Sequence, residues 1–257
     1  MQTFITSSVF KQDLKKAVDL AVELGCNIEI SRFPFFHNDD EKRQVFANTH
    51  KALKNYGGEI SVHGYFSDLN VASKDEEVAQ LAQKRHFQTL EFAKEIGAKT
   101  VLFHTGYTPF KHNDYQKRYT KNYQNFWKNF VKHFEAANIT AVLENVFEEI
   151  PQRNLAIINE INSPNLKLSI DTGHVNVYSH HSISSWIKTY GKNLYHMHIH
   201  NNFGQFDEHN SLLNGNINFE EVFATLKEEK LSPKIIFEIF DEQALRESVE
   251  FFKEKLL

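Results

Sequence analysis

Short apolar runs alternate along the chain with longer stretches whose apolar positions recur at helical spacing. The runs are TFITSSVF (3–10), NIEIS (27–31), EISVHG (59–64), TVLFHTG (100–106), ITAVLEN (139–145), LKLSIDTG (166–173), LYHMHIH (194–200) and KIIFEIF (234–240). Most are rich in Val, Ile and Phe, the composition of strands buried on both faces. Between them, residues 12–24 place Leu14, Ala17, Val18, Ala21 and Val22 on one helical face, and Gly25 supplies a C-terminal stop. Residues 76–96 run from an acidic start to Gly97, with Val78, Leu81, Ala82, Leu90 and Ala93 on a face. Residues 115–137, 152–162, 182–190, 218–230 and 241–256 read the same way, and 40–56 less regularly. The strand-plus-helix unit repeats every ~30 residues, the length of a βα unit. Eight such units predict a parallel α/β architecture, and at this length a (β/α)8 TIM barrel. An open doubly wound sheet is the alternative. It would carry a glycine-rich turn after its first strand, and no G-x-G-x-x-G is present.

Composition narrows the class. The 257 residues fit one barrel domain spanning 1–257. Hydrophobic residues make up 41% and charged residues 24%, which argues against disorder and against a coiled coil. The net charge of -4 is not that of a protein that coats nucleic acid, although it leaves room for a local basic groove. Cys26 is the only cysteine, so an intrachain disulfide and a thiolate-based metal site are excluded. No apolar stretch approaches the length of a membrane span. The N-terminal MQTFITSSVF has neither a basic region nor a cleavage pattern, so a soluble cytoplasmic protein with no membrane partner is expected.

In such a barrel, chemistry sits at the C-terminal ends of the strands. Those ends carry His63, His104, Glu144, Asp171, His198 and Glu238. His174 lies three residues past Asp171, and His200, Asp207 and His209 follow His198. Six successive strands thus deliver imidazole or carboxylate to one face. A lone His near a strand end is ordinarily structural. Glu144 and Glu238 are harder to explain so, because an unpaired carboxylate buried in an apolar strand needs a cation or a proton. Imidazole and carboxylate without thiolate suit Zn²⁺, Mn²⁺, Fe²⁺ or Co²⁺.

Local spacing agrees with ligation. Asp171-Thr172-Gly173-His174 places two donors on a strand-to-loop turn, where Gly173 is expected to let the backbone bend sharply. His198 and His200 alternate and so share a strand face, one as an inner ligand and the other as its neighbour. His196 lies deeper and is expected to be packed. Asp207 and His209, in one loop, can turn to one metal. Asn145, Asn201 and Asn202, with His200, are candidate substrate or outer-sphere donors. Ordinary loop solvation explains the three Asn equally well.

The segments SVHGYF, VLFHTG, VLENV, SIDTGHVN and HMHIHNNFGQFDEHNSLLNGNINF resemble the xylose isomerase-like barrel superfamily, with the likeness running from Ile5 to Phe240. That group holds sugar and sugar-phosphate isomerases and epimerases, and the endonuclease IV class of abasic-site nucleases. In its isomerases and epimerases one divalent metal is held by a Glu, an Asp, a His and a second Glu. The resemblance implies Glu144, Asp171, His198 and Glu238 in those roles. In its nucleases nine residues hold three zinc ions. The matching positions are His63, His104, Glu144, Asp171, His174, His198, Asp207, His209 and Glu238. One to three divalent ions per chain are therefore expected.

Three readings remain open. The first is a metal-dependent isomerase or epimerase of a sugar or sugar phosphate, with Glu144, Glu238 and His174 as catalytic residues. The two Glu would accept and return the proton beside a carbonyl, and His174 and His63 would hold substrate oxygens. Phe35, Phe36, Tyr65 and Phe66 would wall that pocket against water. The second is a zinc-dependent abasic-site phosphodiesterase in which Glu144 bridges two ions and nucleic acid is the partner. The acidic run Asp39-Asp40-Glu41 in the loop after the second strand, and the scarcity of Arg, favour the small-molecule substrate. Some ketose epimerases carry an Arg shortly after the strand-seven His, and FGQFDEH has none. The third is a metal-loaded sugar-binding barrel. A serine hydrolase is disfavoured by the lack of G-x-S-x-G, and the phosphate loop G-x-x-x-x-G-K-[ST] is missing too.

Overall fold

The computed structural model describes residues 1–11 and 13–256, so the expected helix start at Gln12 and the chain end at Leu257 lie outside the described residues. Eight strands are present: β1 (Thr3–Thr6), β2 (Asn27–Ile30), β3 (Ile60–His63), β4 (Thr100–His104), β5 (Thr140–Glu144), β6 (Leu166–Asp171), β7 (Leu194–Ile199) and β8 (Lys234–Phe237). They pair in parallel and in chain order, and β8 closes onto β1. Closure settles the choice between barrel and open sheet. The helices among the described residues are α1 (Leu14–Leu24), α2 (Asp39–Ala52), α3 (Glu76–Glu95), α4 (Asn113–Ala137), α5 (Gln152–Ile161), α6 (Thr172–Tyr178), α7 (Ile183–Tyr190), α8 (Phe219–Glu228) and α9 (Glu242–Leu256). None is long and apolar enough to cross a membrane.

The main core lies between barrel and helices. On α4, Trp127, Phe130 and Phe134 follow helical spacing and meet Phe103 of β4 at ring distances of 5.5, 5.9 and 5.9 Å. Side chains alternate across each strand, so neighbours of the outward apolar residues point into the barrel. That alternation aims the polar residues at the strand tops into one cup.

Three local differences from the sequence reading have physical causes. The first apolar run does not stay extended. The Thr6 side chain accepts the Ser8 N–H, and Ser7–Phe10 forms a short 3-10 turn. Ser8 and Thr6 hydroxyls reach Ser31 Oγ at 2.6 and 3.1 Å, which ties the tops of β1 and β2. Second, the stretch after β6 is a helix rather than a loop. Asp171 caps it, its Oδ1 accepting the His174 N–H at 2.7 Å. Third, Asp39, Asp40 and Glu41 form the first turn of α2 behind the cap Asn38. Acids there offset the helix dipole, and Glu41 also accepts the His37 N–H at 2.7 Å. The acidic run is thus explained by helix capping.

Candidate metal centre

The strand tops carry the expected donors into contact. Glu144 ends β5 and is fully buried, and its register partner on β4 is His104. Asp171 ends β6 opposite His198 of β7. Glu238 stands one residue past β8, its N–H bonded to the Ile199 carbonyl at 3.2 Å. His198 Nδ1 lies 2.6 Å from Glu144 Oε1, 3.1 Å from Glu238 Oε2 and 3.8 Å from Asp171 Oδ2. On the other oxygen of Glu144, His104 Nε2 stands at 2.9 Å and His63 Nε2 at 3.9 Å. A third group forms around Asp207 Oδ2, with His209 Nε2 at 3.1 Å and His174 Nε2 at 3.3 Å.

The arrangement passes two tests for a metal centre. The first is orphaned polarity. Both oxygens of Glu144, His198 Nδ1 and Asp207 Oδ1 are buried without a hydrogen-bond partner. Buried polar atoms are ordinarily paired. Short approaches that no N–H satisfies are what lone pairs converging on one ion produce. The second is imidazole orientation. His63 Nδ1–H donates to the Gly64 carbonyl at 2.9 Å, and His174 Nδ1–H to that of Asn145 at 2.9 Å. His209 Nδ1–H donates to the Glu238 carbonyl at 2.8 Å, and His198 Nε2–H to Glu29 Oε1 at 2.7 Å. In each ring the outer nitrogen is anchored and the inner one is left to ligate. His209 is held there in a left-handed backbone conformation, φ 51°.

The charges agree. Among the described residues no Lys or Arg pairs with Glu144, Asp171, Asp207 or Glu238; every partner is an imidazole. Burial works against charge on His198, but Glu144, Glu238 and Glu29 together hold its pKa well above the usual value. Burial likewise opposes charge on His174, which Asp171 and Asp207 lift. His209 is pushed up to about 9 against burial, chiefly by Asp207. Burial alone would raise Glu144 and Glu238, yet His198 brings Glu144 well below the usual range and Glu238 to about 2. Metal-free, the cup stores protons on imidazoles to offset its carboxylates. A divalent cation offsets the same charge.

Other expected residues fall elsewhere. Gly173 does not bend the chain; it sits inside α6, and a Cβ on it would come within 1.9 Å of His200 Cε1. Its lack of a side chain admits the His200 ring, which is fully buried with Nε2 3.2 Å from Asp171. His200 therefore contacts Asp171 from outside the cup, the outer-sphere alternative of its two sequence readings. Asn145 takes the outer-sphere alternative and Asn201 the loop alternative of their readings. Asn145 brackets the Asp171 backbone, accepting its N–H at 2.9 Å and donating to its carbonyl at 3.3 Å. Asn201 donates to the Leu212 carbonyl at 2.8 Å and accepts N–H groups of Asn202 and Ile217 at 3.0 Å each. Of the four aromatics, Phe66 meets the site, 4.6 Å from the His104 ring and 5.2 Å from that of His63. Phe36 is buried against Phe46 of α2, and Phe35 packs at a tilt against Tyr65 at 4.2 Å. Sequence reasoning missed Glu29. The signal was available: an acid between Ile28 and Ile30 is as anomalous as Glu144 in its strand.

A family model described as xylose isomerase-like TIM barrel matches residues 18–255. An uncharacterized protein of Methanocaldococcus jannaschii is 32% identical over 210 residues, covering 75% of this chain and 72% of that protein. Among solved structures, a D-tagatose 3-epimerase-like protein superposes with a TM-score of 0.84 at 28% identity, covering 100% of this chain and 97% of that one. D-allulose 3-epimerase from Methylomonas sp. superposes with a TM-score of 0.82 at 19% identity, over 99% of this chain and 98% of that one, which speaks to the fold alone.

Proposed function

We propose that this chain, which belongs to the xylose isomerase-like TIM barrel family, is a divalent-metal-dependent isomerase or epimerase acting on a ketose or ketose phosphate. The observation that carries the reading is the convergence of Glu144 and His198, 2.6 Å apart and without a hydrogen bond, at the tops of β5 and β7 on either side of β6. The likeness at 28% identity to a D-tagatose 3-epimerase-like protein supports a ketose as the substrate class.

Glu144, Asp171, His198 and Glu238 would hold the ion. When bound, it polarises a carbonyl and the adjacent hydroxyl and so acidifies the C–H between them. The chain supplies the rest. Moving a proton beside a carbonyl needs one group to accept it and one to return it. Glu144 and Glu238 reach the centre from different strands, β5 and β8, and both are held ionised by His198. His174 and His63 each turn an anchored ring toward the cup and are assigned to substrate oxygens. Phe66, packed beside His63 and His104, excludes water from that side.

A second reading, a metal-dependent phosphodiesterase, is favoured by one feature. Glu144 belongs to two donor groups, with His63 and His104 on one side and Asp171 and His198 on the other, and Asp207 gathers a third. Two experiments separate the readings. Ketoses and ketose phosphates incubated with the metal-loaded protein in deuterated water should gain deuterium next to the carbonyl. Abasic duplex DNA should stay intact. Salt-sensitive incision of that DNA without exchange into any ketose would reverse the choice.

A further inference from the structure

The interior of this barrel type is ordinarily filled by branched apolar side chains. Directly beneath the candidate centre it is polar instead. Glu29 of β2, Ser61 of β3, Ser169 of β6 and His196 of β7 are all fully buried there. Ser61 Oγ–H donates to Glu29 Oε2 at 2.8 Å, and His196 Nε2–H donates to the same oxygen at 3.1 Å. His198 Nε2–H donates to Glu29 Oε1 at 2.7 Å. With its proton on Nε2, His196 accepts the Ser169 hydroxyl at Nδ1, 3.1 Å away. Three donors therefore converge on the two oxygens of one carboxylate.

Glu29, His196 and His198 are close enough to form a cation site of their own. Their facing atoms are already matched, donor to acceptor, whereas His198 Nδ1 on the opposite side of the ring has no hydrogen-bond partner. The ring thus has a committed side, down into the barrel, and an open side, up toward Glu144 and Glu238. It also differs from its neighbours. His63, His174 and His209 anchor their outer nitrogen on backbone carbonyls, while His198 anchors on a carboxylate. An anionic acceptor makes the opposite nitrogen a stronger electron donor than a carbonyl does.

We propose that Glu29 is a positioning residue for the metal centre: by accepting the Nε2 proton of His198 it fixes the tautomer that turns the Nδ1 lone pair toward Glu144 and Glu238. Ser61 and the Ser169–His196 pair hold the Glu29 carboxylate in that pose. The inference rests on the metal reading above and adds to it a residue in the barrel floor that touches neither ion nor substrate. Glu29→Gln is the informative change, because an amide offers one oxygen to three donors. At least one N–H or O–H must then face the amide NH2, and the His198 anchor loses its charge.

The test uses the full chain, stripped of metal and titrated with zinc(II) against a chromophoric chelator, as wild type and as Glu29→Gln. Zinc affinity should fall 10- to 100-fold in the variant, the range seen for outer-sphere partners of metal-bound His. Nitrogen-15 NMR of zinc-loaded wild type should show the His198 proton on Nε2 and zinc on Nδ1. Equal zinc affinity in both proteins, within twofold, would overturn the inference while leaving the metal reading intact. So would a proton on Nδ1 in the wild type, a measurement that decides the matter even if Glu29→Gln does not fold. Wild type that binds no zinc would overturn both.

Discussion

His198 Nδ1 sits 2.6 Å from Glu144 Oε1, yet neither atom makes a hydrogen bond. In the metal-free protein the opposite charges of His198 and Glu144 offset so close an approach, and a bound divalent ion would take over that role for both atoms. Glu144→Gln keeps the shape of the side chain and removes the charge that would hold an ion. It should abolish ketose turnover, at least ~10²-fold, and weaken zinc binding, with an unchanged circular dichroism spectrum. Glu238→Gln should act in the same direction. Wild-type turnover in both variants would end the assignment of these carboxylates.

Metal binding should release protons. His198 and His174 titrate well above their ordinary range in the metal-free protein, and His209 near 9. Ligation needs a neutral imidazole, so zinc competes with protons throughout that interval. Affinity should therefore keep rising from pH 6.5 toward 9 instead of levelling off at the pKa of a free imidazole. Calorimetry in buffers of different ionisation enthalpy would count the protons. Release of none would contradict the charge balance described above.

The same shifts set the stability of the metal-free chain. A His whose pKa is higher folded than unfolded favours the native state at low pH and loses that contribution as pH rises through the folded value. For His209 the loss falls between about 6.5, the ordinary imidazole value, and about 9. Thermal melts should show the metal-free protein losing stability across that window. The zinc-loaded protein should hold its stability, because the ion replaces the protons.

Gly173→Ala tests a steric relationship and not a backbone one. The new methyl would meet His200 Cε1 at 1.9 Å inside a fully buried cluster. Overpacking of this kind costs ~1–3 kcal/mol. A denaturant titration should show that loss, and the displaced His200 should loosen Asp171, seen as weaker zinc binding. A neutral substitution would mean that the ring has room to move.

Asn201→Ala should be costly at a distance from any chemistry. The side chain, itself buried, satisfies backbone groups of Leu212, Asn202 and Ile217, buried residues of the loop beyond β7. Leaving a buried backbone group unpaired costs ~1–3 kcal/mol each. A loss of several kcal/mol in unfolding free energy is expected, with proteolysis nicking first within residues 202–217.

The fold was legible in the sequence because each strand and helix announces itself locally. Val, Ile and Phe runs of strand length and helix faces at 3.6-residue spacing need no knowledge of distant residues. The candidate donors were legible for a related reason: in a closed parallel barrel the end of every strand points to one rim, so His63, His104, Glu144, Asp171, His198 and Glu238 could be gathered from strand position, His174 from its spacing behind Asp171, and Asp207 and His209 from the loop after β7. Only the tertiary structure decided what each polar group does once gathered. Asn145 and Asn201 were open between substrate, outer-sphere and loop roles, and the packing of neighbouring strands and loops gave them to the backbone. Gly173 read as a sharp bend, and the approach of His200, just past β7 and 27 residues later, made it a space. Glu29 joined the centre through His198 although 169 residues separate them, a contact that exists only because the barrel interior brings β2 and β7 within reach of one another. Local propensity is written in neighbours along the chain, whereas the partner of a buried carboxylate is set by what the closed barrel places across from it.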